Sequence, residues 1–332
     1  MRRIDLQNKK ILYIGAASFD YDQLFVKKLK YLGGIVTCYD LNKIYPDTFA
    51  TKITTKITTK SRQDYEQEFY RRVLSQRGYD YVLVRQGYQL TEDFIRQLKD
   101  HNHSARFINF HWDSLRPGFD YLYITKYFDK IFSFDSRDCI THPFINYLPL
   151  FYIDEYGEFR KSHNDNFKPK KNDLVFIGSW RNLERYNLIK KTENLCKENQ
   201  MRFYYYLYYS FLSRYYSIKK GVYPKEARSK KLSHKDILKM LATTNTVIDF
   251  PSSFQTGLTI RTFETLGSGK KLITTNKHII KEPFYNPEYI QVIDLDNFTL
   301  DVDFIKNVPR TSIDNEIEDY SITNYIYKLL QD

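Results

Sequence analysis

The sequence predicts an α/β protein built of two Rossmann-like halves. Three observations carry that expectation. Short apolar runs of strand length alternate with amphipathic, helix-length segments, the order of a parallel sheet covered on both faces. A polar stretch, residues 161–173 (KSHNDNFKPKKND), has one Pro and no apolar periodicity, and it divides the series in two. Residues 247–276 (VIDFPSSFQTGLTIRTFETLGSGKKLITTN) hold a complete strand, turn, helix and strand in one short span.

In the first half, residues 9–14 (KKILYI) read as a strand ending at Gly15. A helix over 20–33 follows, with Leu24, Phe25, Leu29 and Leu32 at helical spacing and Gly33-Gly34 as its stop. A strand over 35–39 leads to Asp40. The turn Gly15-Ala16-Ala17-Ser18 lacks the further glycines of a dinucleotide fingerprint, which argues against a Rossmann NAD site. The repeat TKITTKITTK (51–60) reads as a surface loop or short ribbon. Helices near 63–76, 91–100 and 119–127 alternate with strands 80–84, 106–110 and 130–134, and a last short strand spans 145–148. The second half is expected to run strand 174–177, helix 182–198, strand 202–208, helices 209–218 and 233–242, strand 246–250, helix 258–267, and strands 271–275 and 290–293. The expected domains are 1–160 and 174–315, joined by the linker, with a terminal helix over 316–330 crossing back to the first half.

Composition narrows the classes. The 332 residues are 42% hydrophobic and 27% charged, a globular balance. Thirty Tyr and twenty-four Phe suit cleft walls, although a biased genome composition gives the same enrichment. The net charge of +11 favours anionic partners: nucleic acid, an anionic membrane or phosphorylated substrates. Cys38, Cys139 and Cys196 lie far apart without metal-ligand spacing, which fits a reduced, cytoplasmic protein. No apolar run approaches the roughly 18 residues of a membrane span, so any membrane contact is expected to be peripheral. Residues 201–220 (MRFYYYLYYSFLSRYYSIKK) interleave aromatics with bases, and 209–220 is either an amphipathic core helix or a face for anionic lipid.

The 247–276 unit carries the chemistry. Its strand ends at Phe250-Pro251, and Gln255-Thr256-Gly257 enters the helix. Free amides at a helix start suit a diphosphate. Arg261 adds a planar charge one turn in, and Glu264 is a carboxylate able to accept ribose hydroxyls. The alternative is a plain ion pair on a solvated helix face. Gly267-Ser268-Gly269-Lys270 is a helix stop: a phosphate loop would need Gly at 264 and Ser or Thr at 271. Asp-x-Asp pairs at 20–22, 294–296 and 301–303 are scattered through charged loops, and no metal site is expected. No recognisable nucleic-acid module is present.

The pattern P-S-S-x-Q-T-G-L-T-x-R-T-x-E-x-L-G-x-x-K-K-L-I-T-T-N resembles bacterial GT-B-fold glycosyltransferases, in particular CgeB-like enzymes of capsule, exopolysaccharide and lipopolysaccharide biosynthesis. FHWDSL (110–115), YFDKIFSFDSRDC (127–139), FIGSWRNLERYNLI (176–189) and YSITNYIYKLL (320–330) match in the same order. The resemblance implies two domains facing across a cleft and no cofactor beyond a nucleotide-diphosphate sugar as donor. It implies transfer, with retention, to a saccharide or lipid-linked acceptor; the alternatives are an inverting transferase with Asp113 as base and a non-catalytic nucleotide- or sugar-binding protein. Glu264 would hold the donor ribose, while Gly257, Leu258 and Thr259 would meet the diphosphate and Arg261 the phosphate or sugar. Gly178, Ser179 and Arg181 would face the same diphosphate. Thr256 stands where many retaining members carry a second Glu, so the motif points to a nucleotide better than to a sugar.

In the first half, His111, Trp112 and Asp113 follow strand 106–110 at the carboxyl edge, where parallel sheets take ligands. Asp113 is either a general base for an acceptor hydroxyl, as an inverting enzyme requires, or a helix cap. His111 is either a base or a buried, hydrogen-bonded residue. Arg85 and Trp112 are the acceptor-side candidates.

Overall fold

The computed structural model describes residues 3–15, 21–44, 62–118, 120–162, 170–210, 214, 226–252 and 254–331. The repeat 51–60, the expected helix 209–218 apart from Tyr209, Ser210 and Arg214, and most of the expected linker lie outside these residues. The chain divides into two compact units, residues 1–149 with 322–332, and residues 150–321. The expected boundary at 160 falls within a helix of the second unit.

The first unit holds six parallel strands in the order β2-β1-β3-β4-β5-β6. They are β1 (Lys10–Gly15), β2 (Ile35–Asp40), β3 (Tyr81–Arg85), β4 (Arg106–His111), β5 (Lys130–Ser133) and β6 (Asn146–Tyr147). The central strands read as unbroken apolar runs because both faces are covered, so five of six β1 residues are buried. The helices are α1 (Tyr21–Tyr31), α2 (Arg62–Leu74), α3 (Glu92–His101) and α4 (Ser136–Thr141). Thr91 caps α3 by accepting from the Phe94 amide. The expected helix 119–127 is only a 3-10 turn over Leu122–Tyr127. Its run of aromatic and β-branched residues disfavours a longer helix, and Ile124 anchors it in the core.

The second unit holds five parallel strands in the order β11-β10-β9-β7-β8. They are β7 (Leu174–Ser179), β8 (Phe203–Tyr208), β9 (Thr246–Asp249), β10 (Lys271–Thr274) and β11 (Ile290–Val292). Its helices are α5 (Asp154–Ser162), α6 (Leu183–Glu198), α7 (His234–Leu241), α8 (Ile260–Gly267), α9 (Val302–Lys306) and α10 (Asp314–Glu318). Ser233 and Asp236 form a reciprocal capping box at the start of α7. The expected terminal helix 316–330 is broken. Ser321 pairs with Tyr152 in an isolated bridge, and α11 (Ile322–Leu330) then packs in the first unit, where the Leu330 and Gln331 carbonyls accept from Arg106.

In both sheets the strand order reverses beside the first strand of the unit, between β1 and β3 and between β7 and β9. Loops at the carboxyl ends diverge at such points and leave a crevice for ligands.

Two adjacent lysines have opposite fates. The Lys271 ammonium reaches the carbonyls of Phe304, Ile305 and Asn307 and so closes the end of α9. Lys270 is 0% exposed, and its Nζ has no hydrogen-bond partner among the described residues. It lies over the Phe159 ring at 5.5 Å, and burial holds its pKa down at about 7. The unfolded chain takes up this proton near pH 10.4 and the folded chain near 7, so the native state loses stability as pH falls through that window. Lys270→Met is therefore expected to stabilise by about 1–2 kcal/mol at pH 6, with the gain shrinking toward pH 10. Urea denaturation of both proteins at the two pH values measures it.

Candidate functional site

In the second unit, the loops after β7, β9 and β10 enclose a cleft of about 230 Å³. Its lining includes Arg181, Arg185, Gln255, Asn276, Lys277 and His278. Asn182 caps α6 by accepting from the Arg185 amide, which fixes the entry of the helix. Arg185 then reaches back across the switch point, donating to the Ser179 carbonyl at 3.2 Å and to Asp249 at 3.3 Å. Burial, followed by the charges of Arg181 and Arg261, draws its pKa down to about 10 against the opposing pull of Asp249. Arg181, Arg185 and Arg261 therefore act within one field, and one of them is only 11% exposed. Arg181 is exposed and makes no ion pair among the described residues. Arg185 and Arg261 are paired with Asp249 and Glu264, so the exposed Arg181 at the cleft is the cation of the three that most favours an anionic ligand.

Asp249 ends β9 and also accepts from the Thr259 hydroxyl at 2.6 Å. Thr259 is the N-cap of α8, so a buried carboxylate ties the strand to the helix start. Asn276 steadies the intervening turn, donating to the carbonyls of Thr256 and Gly257. Gly257 and Leu258 are buried and absent from the cleft lining. Gly178 has a packing reason: a Cβ there would stand 2.7 Å from the Phe176 ring.

Glu264 is 1% exposed. Arg261 stands 2.5 Å from Oε2, so the pair is buried rather than spread on a solvated face. Tyr156 of α5 donates to Oε1 at 2.8 Å, and His234 Nδ1 stands 3.7 Å from the same oxygen. Burial, then the carboxylate, pushes the Tyr156 phenol far above its ordinary range, so it remains a donor. This carboxylate can accept further hydroxyls but starts from a nearly satisfied state.

In the first unit, Arg85 is 1% exposed and grips Asp22 through Nε at 2.6 Å and Nη2 at 2.9 Å. Tyr13 also donates to Asp22. Arg85 stacks over Trp112 at 4.8 Å, and the Trp112 indole donates to Tyr325 at 3.0 Å. Arg85 and Trp112 therefore have structural partners. His111 is buried, its Nε2 set 2.7 Å from Asn109 Oδ1 and its ring stacked on Tyr121. Burial, followed by the Arg85 charge, holds its pKa well below the ordinary value, so the imidazole stays neutral. Asp113 is exposed and caps no helix; Gln86 donates its amide to the carboxylate. Gln86 takes φ of 65°, a left-handed conformation uncommon outside glycine, at the carboxyl end of β3.

The structure thus brings Ser179, Arg181, Thr259, Arg261 and Glu264 into one neighbourhood. Sequence reasoning missed Arg185, Asp249, Asn276, Tyr156 and His234 as parts of it. Arg185 had a readable signal, since it is a cation in the first turn of the expected helix 182–198, within a segment already singled out. Tyr156 and His234 come from distant helices and gave none. Among the described residues no group of three or more His, Cys, Asp or Glu is placed to hold a metal, and no helix is long and apolar enough to cross a membrane.

No protein-family model matches the sequence, and no curated protein matches it. Solved structures match over nearly the whole chain. The Anabaena HepE protein, solved with UDP and glucose, is 9% identical with a TM-score of 0.55, covering 97% of this chain and 98% of its own. An alpha-glucosyltransferase solved with UDP and a mismatched DNA is 12% identical with a TM-score of 0.54, covering 97% and 90%. A UDP-N-acetylglucosamine 2-epimerase from Rickettsia bellii is 9% identical with a TM-score of 0.52, covering 98% and 96%. The chain has the GT-B architecture of two Rossmann-like α/β units.

Proposed function

We propose that this chain is a glycosyltransferase whose second unit binds a nucleotide-diphosphate sugar and whose first unit takes the acceptor. The observation that carries this is that Arg181 and Arg185 line a cleft at the β7/β9 switch point, with the charge of Arg261 also acting on Arg185. The UDP held by two structural neighbours supports the nucleotide part of the reading.

In the transfer, the bond from the anomeric carbon to the diphosphate oxygen breaks and its electron pair stays on that oxygen. The acceptor hydroxyl oxygen bonds to the carbon, and its proton passes to the departing diphosphate oxygen in a retaining transfer or to Asp113 in an inverting one. Arg181, Arg185 and Arg261 would stabilise the growing diphosphate charge, because fixed cations need no reorganisation as the bond breaks. Glu264, held by Tyr156, would accept from the ribose. The finer reading is a retaining, hexosyltransferase-like enzyme of the CgeB-like type. It would act in capsule or lipopolysaccharide synthesis on a saccharide or lipid-linked acceptor, from the cytoplasm or the membrane face.

One observation favours an inverting route: the Asp113 carboxylate is exposed at the carboxyl edge of β4 and steadied by Gln86. It would then receive the acceptor proton. The test is a panel of nucleotide sugars assayed for transfer and for hydrolysis, with the anomer of any product determined. Turnover that Glu264→Gln lowers at least tenfold supports the proposal. Interconversion of the nucleotide sugar without release of nucleotide would replace it with an epimerase.

A further inference from the structure

The first unit has its own cavity, of about 570 Å³, at the carboxyl ends of β1 and β2 and between α1 and α2. That volume lies within the roughly 300–1,000 Å³ of small-molecule sites. Four cations line it: Lys27 and Lys30 from α1, Lys43 from the turn after β2, and Arg72 from α2. None of the four makes an ion pair among the described residues. Of the acids, Asp22 is paired with Arg85, and Asp40 also lines the cavity, its carboxylate accepting from the Asn42 amide. Burial, then the Asp22 and Asp40 charges, push the Cys38 thiol up, and Lys30 and Lys43 oppose them, so both lysines act at this point of the cavity alongside the two acids.

The polar wall is fixed. A Cβ at Gly15 would stand 2.6 Å from Asp22 Oδ1 and 2.8 Å from the Tyr13 hydroxyl, so only glycine lets these groups close over the end of β1. Tyr39 and Phe69 meet edge to face at 5.9 Å and supply an apolar wall. Edge strands often carry lysines that deter pairing. That explanation does not reach Lys27, Lys30 and Arg72, which stand on helices.

We propose that this cavity is a second ligand site, specific for a small phosphorylated molecule whose phosphate is held by Lys30 and Lys43 with help from Lys27 and Arg72. Within the transferase reading its occupant is the acceptor, which would then carry a phosphate. The site itself stands without that reading. It lies at the carboxyl ends of β1 and β2, beside the strand at which the sheet order reverses, whereas the cleft of the second unit lies at the β7/β9 reversal itself.

Cys38 is exposed, unlike Cys139 and Cys196, and it lines the cavity, so it reports on occupancy directly. The experiment is alkylation of Cys38 by iodoacetamide in the full chain, followed by peptide mass, with inorganic pyrophosphate or glucose 1-phosphate added. A bound phosphate both covers the thiol and disfavours its thiolate, so the rate is expected to fall at least fivefold and saturably. Sodium chloride at matched ionic strength should not reproduce this. Lys30→Glu/Lys43→Glu is expected to remove the protection while Cys38 remains reactive and circular dichroism is unchanged. Protection by phosphatidic acid vesicles alone, lost in the same variant, would identify the phosphate as a lipid headgroup. Absence of protection by every probe, or protection undiminished in the double variant, overturns the proposal. Arg181→Ala leaves the protection intact, so failure of the nucleotide site and failure of this one are read separately.

Discussion

Asp22→Ala is expected to destabilise the first unit by about 3–5 kcal/mol, the cost of leaving a buried charge without its partner. Arg85 is held in the interior by two hydrogen bonds to Asp22, and both side chains are almost wholly enclosed, at 1% and 6% exposed. Removing the carboxylate strands the guanidinium and also takes the acceptor from the Tyr13 hydroxyl. Asp22→Asn keeps one oxygen and is expected to lose less. The chain has two tryptophans, Trp112 in the first unit and Trp180 in the second. In a Trp180→Phe background, urea denaturation followed by fluorescence therefore reports the first unit alone. At a typical slope of about 1–3 kcal/mol per molar, the midpoint should drop by at least 1 M. A loss below 1 kcal/mol would show that the pair is not the buried interaction described here.

Arg181→Ala has the reverse signature. Arg181 is exposed and has no ion pair among the described residues, so its removal should change stability by less than about 0.5 kcal/mol. Its charge, however, acts on Arg185 and lines the cleft. A charge-assisted bond to phosphate is worth about 1.5–3 kcal/mol, so affinity for UDP should fall about 10- to 100-fold. Arg185→Ala would blur this distinction, because it also strands Asp249, which is 2% exposed. Unchanged UDP affinity in a stable Arg181→Ala protein would detach this arginine from the site. A fall in stability would mean that it has a structural duty.

The strands of both sheets were legible because strands buried on both faces keep no polar alternation, and continuous apolar runs such as LVFIG at 174–178 allow little else. Helix ends were legible where a capping residue stands in sequence, as at Thr91 and Ser233. The break between α10 and α11 was not, because it depends on Tyr152 pairing with Ser321 far along the chain. Nor was the 3-10 turn at 122–127, whose aromatic spacing imitates a helix.

The same limit applied to the candidate site. Arg261 and Glu264 could be read as a pair because a helix sets residues three apart side by side. Their burial could not, since Tyr156 and His234 arrive from α5 and α7. Arg85 looked like an edge residue available to a ligand until Asp22, from α1, was found to occupy it. A charged residue at a strand end is ambiguous in sequence, because its counter-ion is chosen by the packing of other elements.

The most direct test of the account is a calorimetric titration of UDP into the full chain at low and high salt. Saturable binding is expected, weakened by salt as the cleft arginines require, with the tightest site lowered at least tenfold by Arg181→Ala. Absence of binding at millimolar UDP, or binding indifferent to both salt and Arg181, would contradict a nucleotide site in the second unit.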